Sequence, residues 1–151
     1  MNLPPPPLDY LDRMPVVAEA TALVQVQVDP NGRIHELDPV AAEAWTRMQR
    51  AARSNRVELI LISAFRSVSR QHSMVLEKLQ ANQSLLEILR VSAYPGHSEH
   101  HSGRAVDIGS PRALQLESKF ETTLEFHWLN DYAHEFGFSL SYPRHNQQGV
   151  I

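Results

Sequence analysis

The sequence predicts an α+β fold. Short apolar runs with strand character recur near 23–28, 57–63, 105–109 and 138–142. Stretches of helical periodicity fall between them at irregular intervals, not in strict strand-helix alternation. At 151 residues, with 42% hydrophobic and 21% charged side chains, the chain can bury a core within one domain.

Residues 1–22 read as a Pro-rich N-terminal tail, because Pro4-Pro5-Pro6-Pro7 favours extended polyproline and cannot join a helix or central strand. The tail is expected to lie over the surface, and 23–151 to form the domain. Leu23 to Val28 alternates with period two, as a strand with one buried face does. Asp29-Pro30-Asn31-Gly32 is a turn signal. Asp38-Pro39 has the form of a helix cap with proline at the first position. Val40, Ala41, Ala44, Trp45, Met48, Ala51 and Ala52 then recur along one helical face and are expected in the core, with Arg47, Arg50 and Arg53 on the wet side. Val57 to Ile62 is β-branched and nearly continuous, so it is expected to be a central strand.

Arg66 follows that strand directly, where its fork can bind a carboxylate, an oxyanion or a structural acid. Ser67 is placed to cap the next helix, which carries Gln71 one turn in. Asn82 to Val91 gives another helical stretch, and Ser110 to Phe120 reads as a loop. Thr122 with Glu125 has the spacing of a capping box. Phe126, Leu129, Ala133 and Phe136 form a helical face closed by Gly137, with His127 and His134 as ordinary surface histidines. Phe138 to Tyr142 alternates as a last strand.

Composition excludes several roles. Net charge is −3 with no basic field, so nucleic acid is not an expected partner. Without cysteine there is no disulfide, and any metal must use histidine and carboxylate ligands. No apolar run reaches membrane-spanning length. The first residues lack the pattern of a secretory signal, and the compartment stays open.

The most concentrated chemistry lies between Pro95 and Gly109. Three histidines in a glycine-bounded loop precede a short strand bearing Asp107. A half-buried strand carboxylate requires a partner, and a divalent metal is one. His100 from the loop and Asp107 from the strand are the candidate ligands, with Gly103 turning the chain between them. On composition His97 and His101 compete for the same role, and a solvated loop is the bland alternative.

Ser98-Glu99-His100-His101-Ser102-Gly103-Arg104-Ala105-Val106-Asp107 resembles the S-x-H-x-x-G-x-A-x-D pattern of the VanY-like D-alanyl-D-alanine carboxypeptidases, zinc metallopeptidases of the LAS type. Ser63-Ala64-Phe65-Arg66-Ser67 with Gln71 is similar to a second segment of that family, and Trp128 through Tyr142-Pro143 to a third. The resemblance implies a small, largely antiparallel sheet with helices packed around it, as in hedgehog and DD-peptidase domains. It implies zinc on His100 and Asp107, Arg66 beside the substrate carbonyl, and Ser98 and Gln71 on the substrate. The implied partner is a peptidoglycan peptide, with no nucleic acid and no membrane span, and the chain is expected to be a monomer. The implied reaction is zinc-dependent removal of a terminal D-alanine.

One part of the pattern is not met. The family carries its catalytic glutamate and third zinc ligand in an E-x-W-H type segment, and no glutamate follows Glu135 here. The domain is therefore expected to be C-terminally incomplete and, as given, to bind zinc weakly and turn over poorly. His145 is the only substitute ligand in that stretch. Two further readings stay open: a non-catalytic relative that binds cell-wall peptide or metal, and a structural domain whose Pro-rich tail recruits a partner.

Overall fold

The computed structural model describes residues 2–111 and 121–141. Within them a long helix, α2 (Pro39–Ser54), is the centre of the larger of two hydrophobic clusters. Its start follows the cap that the sequence predicts. The Asp38 carboxylate accepts from Val40 N–H at 3.0 Å and Ala41 N–H at 3.3 Å, and Pro39 needs no partner for a missing N–H. Trp45, Met48 and Ala52 are buried along its inner face, whereas Val40, expected there, is exposed in the first turn. Each of the two large side chains contributes about 1.5–3 kcal/mol by leaving water.

On one side of α2 lies a hairpin of β1 (Val24–Val28) and β2 (Ile34–Leu37), paired antiparallel from Val24↔Leu37 to Val28↔Ile34. Sequence periodicity does not reveal β2, because it buries His35 and Leu37 while Ile34 faces solvent. On another side, β3 (Ile60–Ser63) pairs antiparallel with β4 (Asp107–Gly109). Both strands are shorter than expected, and β3, expected to be central, has β4 as its one ladder partner among the described residues. Val57 and Leu59 are buried without joining the ladder, whereas Ile60 and Ile62 are only partly covered. The register shifts at Ile62: Leu61 faces Ile108, and Ser63 faces Asp107. Such a bulge re-aims side chains at a strand end, here the two polar ones. The small, antiparallel character expected of the sheet is met by these two ladders.

Helix α3 (Val68–Gln80) starts at Ser67, whose hydroxyl accepts from Arg70 N–H at 3.1 Å. Helix α4 is Leu85–Val91, shorter than 82–91, because Ser84 and Glu87 close a reciprocal capping box that fixes its start. Helix α5 (Leu124–Tyr132) is capped by Thr123, which accepts from Phe126 N–H at 3.2 Å, and not by Thr122 as its spacing with Glu125 suggested. A 3₁₀ turn, Ala133–Phe136, continues α5 and ends at Gly137 in the left-handed region, φ +85°. Phe138 N–H still bonds back to the Ala133 carbonyl at 3.1 Å. That closure explains why 138–141 is not a strand as expected: its first amide is spent on the helix cap. Tyr142 and most of the 110–120 loop lie outside the described residues.

The N-terminal residues do more than cover the surface. The prolines lead into α1 (Leu8–Arg13), and Tyr10 and Met14 are buried against Leu89 of α4. The Tyr10 hydroxyl accepts from Tyr94 N–H at 2.8 Å. His127 and His134 are exposed, as expected. Among the described residues no helix is long and apolar enough to cross a membrane.

Candidate active site

The site forms where the end of β3 meets the loop before β4. Main-chain and ring bonds zip these segments together. Arg66 N–H donates to the His100 carbonyl at 3.1 Å, and His100 Nδ1 lies 2.7 Å from the Ala64 carbonyl. A carbonyl only accepts, so His100 carries its proton on Nδ1 and leaves the Nε2 lone pair free in the neutral ring. That nitrogen lies 3.4 Å from Asp107 Oδ2. His100 is buried, and Asp107 keeps about a quarter of its side chain open to solvent, at 28%.

This arrangement fits a metal. Two ligands about 2.0–2.2 Å from a tetrahedral zinc lie roughly 3.3–3.6 Å apart. A metal-binding histidine also typically spends its other nitrogen on a carbonyl or carboxylate, as His100 does on Ala64. Among the described residues no third histidine, aspartate or glutamate joins the pair. His145 lies outside the described residues.

Arg66 stands beside this pair. It is partly buried and donates through Nη1 to Gln71 Oε1 at 3.0 Å and through Nη2 to Ser63 Oγ at 2.9 Å. Burial lowers its pKa, and the nearby Asp107 carboxylate acts in the opposite direction. Gln71 is fully buried and is itself held by the Ala93 carbonyl, to which Nε2 donates at 2.6 Å. Ser98 is buried, and its oxygen accepts from His100 N–H at 3.3 Å, which starts the 3₁₀ turn Glu99–Ser102. Its hydroxyl proton has no acceptor assigned by that bond and can be directed at a ligand.

The two competing histidines are engaged elsewhere. His97 Nδ1 lies 2.9 Å from the Met14 carbonyl, with Tyr10 and Tyr94 against its edges. His101 is wholly buried and bonds main-chain groups through both ring nitrogens. Gly103 closes the 3₁₀ turn at φ +71° and lies against Asp38, whose N–H donates to the Gly103 carbonyl at 2.8 Å. Sequence reasoning assigned no role to Ser63. Its signal was its position at the head of the Ser63-Ala64-Phe65-Arg66-Ser67 segment. A shallow cavity of about 250 Å³ lies nearby, lined by Glu99, Ser102, Arg104, Val106 and Phe138 among others, but none of the five site residues lines it.

Set against known proteins, this fold is that of a peptidase. The chain belongs to the VanY family, D-alanyl-D-alanine carboxypeptidases, whose profile matches residues 34–151. It is 32% identical over 108 residues to YodJ of Bacillus subtilis (strain 168), a protein named as a carboxypeptidase. That match covers 71% of this chain and 39% of YodJ, so the chain spans well under half of that relative. The structure of VanYB in complex with D-Ala-D-Ala superposes with a TM-score of 0.68 at 26% identity, covering 90% of this chain and 75% of that one. The LdcB LD-carboxypeptidase, solved for its peptidoglycan recognition, superposes at 0.66 with 28% identity, over 85% of this chain and 57% of that one.

Proposed function

We propose that residues 23–151 belong to a zinc-dependent D-alanyl-D-alanine carboxypeptidase acting on peptidoglycan peptides, with residues 1–22 as an arm packed on it. The observation that carries this reading is the 3.4 Å approach of His100 Nε2 to Asp107 Oδ2, with His100 Nδ1 already spent on a carbonyl. Family membership supports the peptidase chemistry, and the D-Ala-D-Ala bound by VanYB supports the substrate class.

His100 and Asp107 are the residues that would hold zinc. When bound, zinc supplies a water of lowered pKa and a Lewis acid beside the scissile carbonyl. Arg66 offers positive charge where the carbonyl oxygen gains negative charge, and its two acceptors hold the fork before substrate arrives. Gln71 acts through Arg66, because its Oε1 and Nε2 are both committed. Ser98 is proposed to donate its hydroxyl proton to the terminal carboxylate of the peptide. The reaction also requires a group that moves a proton from water to the leaving amine, and none of the described acids joins His100 and Asp107. The second reading is a relative that holds cell-wall peptide or metal without cleaving it.

The experiment is incubation with a peptide ending in D-Ala-D-Ala, in zinc and in chelator, with D107N as control. Released D-alanine that needs zinc and Asp107 supports the proposal. Peptide binding without release moves the assignment to the second reading, and neither binding nor release rejects both.

A further inference from the structure

We infer that His101 is a positioning residue of this site, tying the Arg66 main chain to the turn at Gly96; the inference rests on the carboxypeptidase reading above. His101 has no exposed surface, yet it is polar at both ends. Its Nδ1 lies 2.6 Å from the Arg66 carbonyl, and its Nε2 lies 3.1 Å from Gly96 N. A carbonyl can only accept and an amide can only donate. The ring therefore holds one proton, on Nδ1, and accepts Gly96 N–H on Nε2. No side-chain nitrogen of His101 is left for a ligand.

The main chain of His101 is equally committed. Its N–H donates to the Ser98 carbonyl at 3.1 Å, and its carbonyl accepts from Ala20 N–H at 2.8 Å. Val17 N–H donates to the Gly96 carbonyl at 2.8 Å, on the far side of the same turn. One residue thus joins four pieces of chain: the N-terminal arm, the exit of β3, the Gly96 turn and the loop that carries Ser98 and His100. Arg66 is bracketed on both sides of its α-carbon, since its N–H bonds the His100 carbonyl and its carbonyl faces the His101 ring. Fixing both peptide groups fixes the base from which the guanidinium projects. An isolated buried imidazole costs free energy unless both nitrogens are satisfied, so this geometry is specific to a group offering one donor and one acceptor.

The test compares H101L, which fills the space but bonds nothing, with H101Q, whose amide can both donate, through its NH2, and accept, through its carbonyl oxygen. Folding is checked by circular dichroism and amide exchange is read residue by residue. H101L is expected to lower kcat for D-alanine release by about 10²-fold, the scale for a small misplacement of a catalytic group, with a smaller change in KM. It is also expected to speed exchange at Gly96 and Arg66 locally. H101Q is expected to recover most of kcat and the slow exchange. If H101L does not fold, H101N replaces it, since its shorter amide cannot reach both partners. Folded H101L with wild-type kcat, or H101Q as impaired as H101L, overturns the inference. If the wild-type chain releases no D-alanine, the functional reading fails and exchange alone decides. Local acceleration in H101L that H101Q restores then upholds the positioning role, and a uniform or absent change overturns it.

Discussion

Gln71 grips Arg66 with one end of its amide and the Ala93 carbonyl with the other, at 3.0 and 2.6 Å, from a wholly buried position. The bridge connects helix α3 to the segment leading into the histidine loop. Gln71→Leu keeps the volume and removes both bonds, leaving a guanidinium N–H and a carbonyl unpaired. The expected loss is about 1–3 kcal/mol, read as a lowered urea midpoint. An unchanged midpoint would mean that water replaces the amide freely, and the bridge would then be incidental.

Arg66→Ala is expected to act on stability as well as on turnover. From sequence alone Arg66 has a functional base and no evident structural partner, which suggests an unchanged melting temperature. The structure shows two partners, Ser63 and Gln71, that the substitution would strand. A loss of about 1–2 kcal/mol is expected from those acceptors, with kcat/KM lowered by about 10²-fold for the lost charge donor. Arg66→Lys keeps the charge and loses the fork, so it should recover only part of either. Turnover retained in Arg66→Ala would make Arg66 purely structural.

Gly103→Ala should be costly and Gly96→Ala mild. Both glycines have positive φ, +71° and +91°. A Cβ on Gly103 would lie 2.9 Å from Asp38 N, a main-chain atom that cannot rotate away, whereas one on Gly96 meets nothing within 4 Å. Left-handed strain costs about 1–2 kcal/mol at either position, and the clash adds to it only at Gly103. Denaturation of the two variants side by side measures the difference. Equal losses would show that the Gly103–Asp38 contact relaxes.

Asp29 gives a pH-dependent prediction. Its carboxylate accepts from Arg33 N–H at 3.0 Å and Asn31 N–H at 2.9 Å, with His35 Nε2 at 3.5 Å. The Arg33 bond is the main cause of a pKa below the ordinary 3.8, followed by the opposing effect of partial burial and then the Asn31 bond and His35. A depressed folded pKa means that the charge-dependent stability is present above 3.8 and disappears as pH falls through the lower folded value. The stability gap between wild type and Asp29→Ala should therefore be level above 3.8 and narrow as pH falls from there through the folded value. A gap that widens on acidification would contradict the assignment.

Much of this was legible in the chain. Asp38-Pro39 announced the start of α2, and alternation around Asp107 put it opposite Val106 and Ile108, which pack toward the core. The failures have local causes. Strand β2 hides because a buried histidine replaces an apolar residue. The expected strand after Gly137 is consumed by a helix cap whose bond from Phe138 to Ala133 has no sequence signature beyond the glycine. Tyr10 and Met14 are anchored by contacts more than seventy residues away, which periodicity cannot see. Choosing among His97, His100 and His101 required knowing which carbonyl each ring meets, a tertiary fact.

The central claim is that His100 and Asp107 form the metal pair, and the most direct measurement is zinc anomalous diffraction from crystals of this protein soaked in zinc. The location of the ion is then read independently of its affinity. The account predicts an anomalous peak within about 2.0–2.2 Å of both His100 Nε2 and Asp107 Oδ2, lost in D107N crystals. Zinc bound instead at His97 or His101, or absent from between His100 and Asp107 at saturating metal, would contradict it.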